Sequence, residues 1–350
     1  MEGINMKNQN FIFLFLYPLI LLLTFLFFPQ KNISVSASVN TKFRCASIAP
    51  PGSLFEKIFQ EGAQKIKERT GVEVIMFSGS IVGDELDIAR DLKNGKYDCA
   101  ILTVNGLGFI SSYFRILDLP FMIKNEKESD LVRRKLLKAF RELIKSDGYV
   151  LAGIIEIGFG HFFSKYPMQS LKDFAGKSFW VWKIHKINEE IYTRVLKNLG
   201  AKSVETPTIW DVEKVGDKID ILIATPYVIL ALGWTRFTKY IVEPNIGYLP
   251  AGIIIKKDKV DSLPQEVQNE IERIVEASAE EATLKIRKEN EEAKKFLINK
   301  LGFQITTIKD AELLEKLFRE NMWPEFKEKY IPSWFFISVM TEILKLRTGQ

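Results

Sequence analysis

Few side chains in this sequence could carry acid–base, nucleophilic or metal chemistry. His161 and His185 are its two histidines, and Cys45 and Cys99 its two cysteines. A zinc site built from Cys and His is nearly out of reach, and a histidine base has two candidates. His161 lies in the Gly/Phe segment Gly158-Phe-Gly-His-Phe-Phe163, where a single His is more often a hydrogen-bonding pocket or core residue. His185, between Lys183 and Lys186, reads as an exposed residue at a helix start. No G-x-S-x-G elbow, phosphate-loop GK[ST] or H-E-x-x-H motif is present. Gly106-Leu107-Gly108 resembles the start of a dinucleotide loop, but the third glycine is missing. No catalytic residue, metal ligand or cofactor is expected. Aromatic side chains are the more conspicuous chemistry. Phe159, Phe162, Trp180, Trp182, Trp210, Tyr227 and Trp234 gather in one stretch, with Trp180 and Trp182 on one face of a strand. Such rings build cores as readily as they stack on ligands.

The elements that would position these residues alternate regularly. Lys42–Ile48 reads as a strand and Ala49-Pro-Pro-Gly52 as a turn. Ser53 with Glu56 is a capping box opening a helix that Gly71 stops. Val72–Phe77 and Tyr97–Thr103 are strands, separated by a helix that Asp84 opens and Gly95 ends. A helix over Glu126–Lys145 precedes the strand Tyr149–Ile157. The Gly/Phe segment then reads as a crossing between two lobes. Beyond it come the strand Ser178–Val181, the helix Asn188–Asn198, the strand Ile219–Ala224 and a return strand at Ile253–Ile255. Strand–helix–strand at this spacing predicts an α/β fold with doubly wound, mostly parallel sheets. Ser262 with Gln265 marks a second capping box, before an amphipathic stretch to about Lys300. As one helix that stretch would measure about 55 Å and must kink or span both lobes.

The chain has 350 residues, enough for two domains, with 47% hydrophobic and 27% charged residues. That mixture excludes a disordered chain, a polytopic membrane protein and a disulfide scaffold. The net charge of +5 is a mild excess, and only Arg133-Arg134-Lys135 forms a basic run, so no nucleic-acid partner is expected. Residues 1–37 read as a signal peptide. Lys7 precedes the uncharged run Phe11–Phe28, and the small-x-small exit Val35-Ser-Ala37 follows. The run is also long enough to remain as an uncleaved membrane anchor. Either way the body is expected outside the cytoplasm, in the periplasm. Cys45 and Cys99, both in apparent strands, are expected as buried thiols; a disulfide is the alternative, although neighbouring parallel strands suit its geometry poorly.

Five segments in order carry a resemblance: Ala49-Pro-Pro-Gly-Ser53, Ser78-Gly-Ser-Ile-Val-Gly-Asp-Glu85, Leu92-Lys-Asn-Gly-Lys-Tyr-Asp98, Asp118-Leu-Pro-Phe121 and Asp173-Phe-Ala-Gly-Lys177. Together they resemble the solute-binding proteins of TRAP transporters, the DctP-like family, over about 43–337. The resemblance implies a two-lobed, type II periplasmic-binding-protein-like fold with a hinge and long C-terminal helices. Lobe 1 would comprise 41–157 plus about 246–285, and lobe 2 would comprise 158–245 plus about 286–350 with the spanning helices. It implies capture of a small-molecule solute and delivery to integral membrane subunits of the transporter.

Ligands of doubly wound sheets bind beyond the carboxyl ends of strands, which selects Ser53, Thr103 and Asn105 in the first lobe and Thr225 and Tyr227 in the second. The helix start at Ser53 suits an anionic or polar group. Phe159, His161, Trp180, Trp182 and Trp234 complete the expected ligand-binding set. Trp180 stands where most of the family carries an Arg that clamps a carboxylate, and no Arg stands near Gly160 or His161 either. One N–H and a broad apolar face replace a charged fork of donors. The expected ligand is therefore a larger, apolar or aromatic, carboxylate-type solute. The opposing reading is a small carboxylate neutralised by His161, Lys177 or a helix N-terminus. Alternative functions are a membrane-tethered sensor subunit and an extracytoplasmic enzyme on the same architecture.

Overall fold

The computed structural model describes residues 41–182, 186–206 and 208–349. The leader at 1–37, Lys183 and His185 lie outside the described residues. Among the described residues, no helix is long and apolar enough to cross a membrane.

Nine strands form one sheet: β1 (Lys42–Ser47), β2 (Glu73–Ser78), β3 (Cys99–Thr103), β4 (Tyr149–Ser164), β5 (Ser178–Trp182), β6 (Lys202–Thr206), β7 (Ile221–Ala224), β8 (Tyr240–Lys256) and β9 (Gln304–Thr307). Their order is β2-β1-β3-β8-β4-β7-β5-β6, with β9 beside β8. The sequence alternation accounts for the two ends. β1 pairs in parallel with β2 and β3, and β5 pairs in parallel with β6 and β7. β4 and β8 join these two blocks. They run antiparallel to each other from Tyr149↔Lys256 to Ser164↔Tyr240, so both strands belong to both halves. Cys45 and Cys99 face each other in register as free, buried thiols.

The expected crossing at the Gly/Phe segment is the continuation of β4, and β8 extends well beyond the expected Ile253–Ile255. Register shifts interrupt the pair between Leu151 and Gly153, Glu156 and Gly158, and Gly160 and Phe162. Such bulges bend and twist a strand while keeping its partner. Gly158 has φ +134°, and a Cβ there would lie 2.8 Å from Asn290 Nδ2. The glycine lets the strand and a helix come this close.

That helix is α6 (Gln265–Asn299) in a series comprising α1 (Leu54–Thr70), α2 (Glu85–Lys93), α3 (Val104–Ile110), α4 (Lys186–Asn198) and α5 (Pro226–Ala231). Its 35 residues measure about 52 Å. Val275 and Ala279 pack near Gly153 of β4, whereas Leu297 joins Ile241 and Phe303 in a separate core. One continuous helix therefore spans both halves. The Ser262 capping box does not form. Ser262 Oγ donates to Lys259 O, ending a preceding turn, and Pro264 stands at the N-cap. At Ser53 the box is half formed. Ser53 Oγ accepts from Glu56 N at 3.3 Å, but the Glu56 carboxylate takes Gly52 N and Ser78 Oγ.

Arg287 of α6 secures the centre of β4. It donates to Glu156 Oε1 at 3.0 Å and Oε2 at 2.8 Å, and to Asp130 Oδ1 at 2.8 Å. Ser129 Oγ donates to Glu156 Oε2 at 2.6 Å. Glu156 is only 1% exposed, so its charge depends on these partners. Arg287→Met should destabilise the protein by about 3–5 kcal/mol in urea denaturation, the usual cost of orphaning a buried charge. A loss below about 1 kcal/mol would show that water or another group satisfies Glu156.

Candidate functional site

A cavity of about 250 Å³ opens where the parallel strands of both blocks end. β1 and β3 bring Ile48 and Ile101 to it, and α1 adds Phe55 and Phe59. From the other block come Phe179, Trp180 and Trp182 of β5, Val228 of α5, and Leu232 and Trp234 beyond it. Trp180 is sandwiched within this wall. Its ring stacks on Trp182 (centroids 6.2 Å apart, planes 20°) and meets Trp234 edge-on (5.2 Å, 68°). It thus belongs to the second core and to the cavity lining together.

Of the ten residues singled out from sequence, Thr103, Asn105, Trp180, Trp182, Thr225 and Trp234 line this cavity. Ser53, Phe159, His161 and Tyr227 are not among its lining residues, and each has another partner. Ser53 caps α1. Phe159 packs on Tyr248, ring centroids 5.9 Å apart. His161 is buried beside Glu243 (Nδ1–Oε2 3.6 Å), and burial lowers its pKa more than that carboxylate raises it. Lys177 stacks on Tyr166 at 4.1 Å. Tyr227 OH accepts from Leu54 N at 2.8 Å, and its ring meets Phe55 edge-on. The helix start read as a receiver of a ligand group is thus occupied by a tyrosine from the opposite block.

Two tryptophans make the corresponding contact at α2. Trp182 Nε1 donates to Asp84 Oδ2 at 2.9 Å, and Trp210 Nε1 to Gly83 O at 3.2 Å. Gly83 has φ +80°, and a Cβ would lie 2.6 Å from the Asp87 carboxylate, so the loop tolerates only glycine. These bonds join β5 and the turn at Trp210 to the start of α2, next to the cavity-lining Glu85. Sequence reasoning placed Trp210 among the gathered aromatics but assigned it no role.

Sequence reasoning also missed Glu85, Asp118 and Tyr192. Glu85 is completely buried at the first turn of α2. Its carboxylate accepts from Thr103 N and Oγ1, both at 2.7 Å, and from Gly106 N at 2.9 Å. Burial pushes its pKa up to about 7, against the pull of these three donors. The available signal was its place beside the helix-opening Asp84. Asp118 lines the cavity with Arg115 Nη1 at 3.6 Å, and Tyr192 OH donates to the Asp118 carbonyl at 3.4 Å. Among the described residues no group of acids, His or Cys could hold a metal ion.

Against this geometry, a model of the DctP family, bacterial extracellular solute-binding protein family 7, matches residues 45–332. The chain belongs to that family. No protein of curated function matches its sequence. Solved structures share the fold at low identity. A TRAP periplasmic solute-binding protein from Chromohalobacter salexigens, with bound D-glucuronate, has a TM-score of 0.76 at 17% identity, covering 86% of this chain and 98% of that one. DctP7 of Bordetella pertussis, an extracytoplasmic solute receptor binding pyroglutamic acid, has a TM-score of 0.76 at 16% identity, over 86% and 99%. A third, a TRAP periplasmic solute-binding protein from Ochrobactrum anthropi with a C-terminus bound in its ligand-binding pocket, has a TM-score of 0.75 at 19% identity, over 89% and 97%.

Glu85 yields a pH signature. Folded, it holds its proton up to about pH 7; unfolded, it releases it near its ordinary 4.5. The native state binds more protons between those values, so this contribution is complete below 4.5 and lost as pH rises through about 7. The stability of the wild type relative to Glu85→Gln should fall by on the order of 3 kcal/mol between pH 4.5 and pH 8 in urea titrations. A difference that does not move with pH would show that Glu85 ionises normally.

Proposed function

We propose that this member of family 7 is the extracytoplasmic receptor of a TRAP transporter, and that it takes a solute with a large apolar or aromatic body. The observation that carries the ligand reading is the cavity wall formed by Trp180, Trp182 and Trp234. Relatives whose structures share the fold bind glucuronate and pyroglutamate, which are carboxylate solutes. Here the position that resembles the carboxylate-clamping Arg is a tryptophan, which favours apolar area over a fixed charge.

Capture is by closure of two lobes, 41–157 plus about 246–285 and 158–245 plus about 286–350, about the paired strands β4 and β8. The contacts of Trp182, Trp210 and Tyr227 with Asp84, Gly83 and Leu54 support this division, because each joins residues assigned to opposite lobes. The closed receptor then presents the solute to the membrane subunits. Residues 1–37 serve export, and the protein acts as a carrier in the periplasm with no chemical step.

Native mass spectrometry of the protein as purified should detect a bound apolar or aromatic small molecule. Trp180→Ala should weaken its binding about tenfold or more, matching loss of about 1.5–3 kcal/mol of apolar burial. Tight binding of succinate or malate that Trp180→Ala leaves untouched would overturn this reading.

A further inference from the structure

A second cavity, of about 80 Å³, adjoins the one already described. Phe59 of α1 and Ile101 of β3 line both. The strand registers show how the two are arranged. Ser47, Ile101 and Ile253 are partners in one row across β1, β3 and β8, and Cys45, Cys99 and Ile255 form the row two residues further back. Alternate residues of a strand share a face, so both rows open on the same side of the sheet. Ser47 lines the first cavity, Ile101 both, and the other four the second. The second cavity therefore continues the first along the sheet, away from the strand ends, beneath α1 and α6.

Its wall is apolar. Ser278 of α6 and the thiols of Cys45 and Cys99 are the polar side chains among the described residues that line it. Burial raises the Cys99 thiol well above its ordinary range, so it stays protonated and acts as a small apolar group. A cavity of this kind stays dry, and the side chains around it forgo contacts that close packing would supply. Gly62 helps to keep the space open. It stands in the interior of α1, where glycine is a poor helix former, and an added Cβ there would meet nothing within 4 Å.

Size decides what this second space can take. An apolar cavity of about 150 Å³ holds benzene. One of about 80 Å³ suits the end of an alkyl chain better than a ring.

We propose that the solute is an amphipathic carboxylate with an unbranched alkyl tail, which passes between Phe59 and Ile101 and ends in the second cavity beside Cys45 and Cys99. This rests on the receptor reading above and adds a chain length to it. The carboxylate and the first part of the chain occupy the first cavity, against the tryptophan wall. Passage of the tail needs the Phe59 ring, at the partition, to turn to another rotamer.

The test titrates hexanoate, octanoate, decanoate and indole-3-acetate by calorimetry, below micellar concentrations, into the protein stripped of any bound solute. Each methylene taken out of water is worth about fourfold in affinity, so decanoate should bind at least about tenfold tighter than hexanoate. Gly62→Leu and Ser278→Leu fill the second cavity from its two helices, and neither residue lines the first. Each should bring decanoate to within about twofold of hexanoate while leaving hexanoate binding unchanged. A decanoate advantage that survives both substitutions overturns the tail site, and so does its absence from the wild type. Binding of indole-3-acetate without any alkyl carboxylate overturns the tail and leaves the apolar first cavity standing. Binding by none of the four removes the tail and the apolar carboxylate receptor together.

Discussion

The pairing of β4 with β8 is the interaction on which the rest of this structure depends. The two parallel blocks stand at opposite ends of the sheet, and β8 and β4 lie between them. Their shared ladder runs from Tyr149↔Lys256 to Ser164↔Tyr240 and is broken by three register shifts. A shift leaves a residue outside the ladder and bends the strand, so the joint between the halves is continuous but not straight. Asn290 closes this joint from the helix side. Its amide donates to Ile157 O at 3.0 Å and Ile286 O at 3.1 Å, and accepts from Tyr227 N at 3.1 Å. One side chain thus ties the bulge at Gly158, the long helix and the start of α5.

Much of the fold was legible in the sequence because its signals are local. Ser53, Gly71, Asp84 and Gly95 mark helix ends within a few residues of the elements they bound, and apolar runs fix the strands. The continuity of β4 was not legible. Gly158 and Gly160 look like breaks when read along the chain; what makes them part of a strand is β8, nearly a hundred residues later, and Asn290 beyond it. The failed cap at Ser262 is local: the helix starts later, with Pro264 at its N-cap, and the Ser262 hydroxyl donates back to Lys259 O.

The candidate site divides along the same line. Thr103, Asn105 and Thr225 follow from the rule that strand ends face the cleft, and the tryptophans from their clustering. Tyr227 also sits beyond a strand end, yet its hydroxyl reaches Leu54, 173 residues away in sequence. Glu85 was missed because the donors that define it, Thr103 and Gly106, lie 18 and 21 residues off. A buried carboxylate in a helix's first turn cannot be told from a solvated one without knowing what packs over it.

The tryptophans at the cavity wall bear on more than ligand chemistry. The indole N–H groups of Trp182 and Trp210 bond Asp84 and Gly83 at the start of α2, using groups the protein supplies itself. Those bonds are made within the protein and need no solute to form, and a ligand shifts an equilibrium only by its differential affinity for two states. The ring faces of Trp180 and Trp182 thus line the cavity, while the indole N–H groups of Trp182 and Trp210 bond across to α2 and the loop before it. Trp182 makes both contacts, with its N–H on Asp84 and its ring stacked beside Trp180 in the cavity lining.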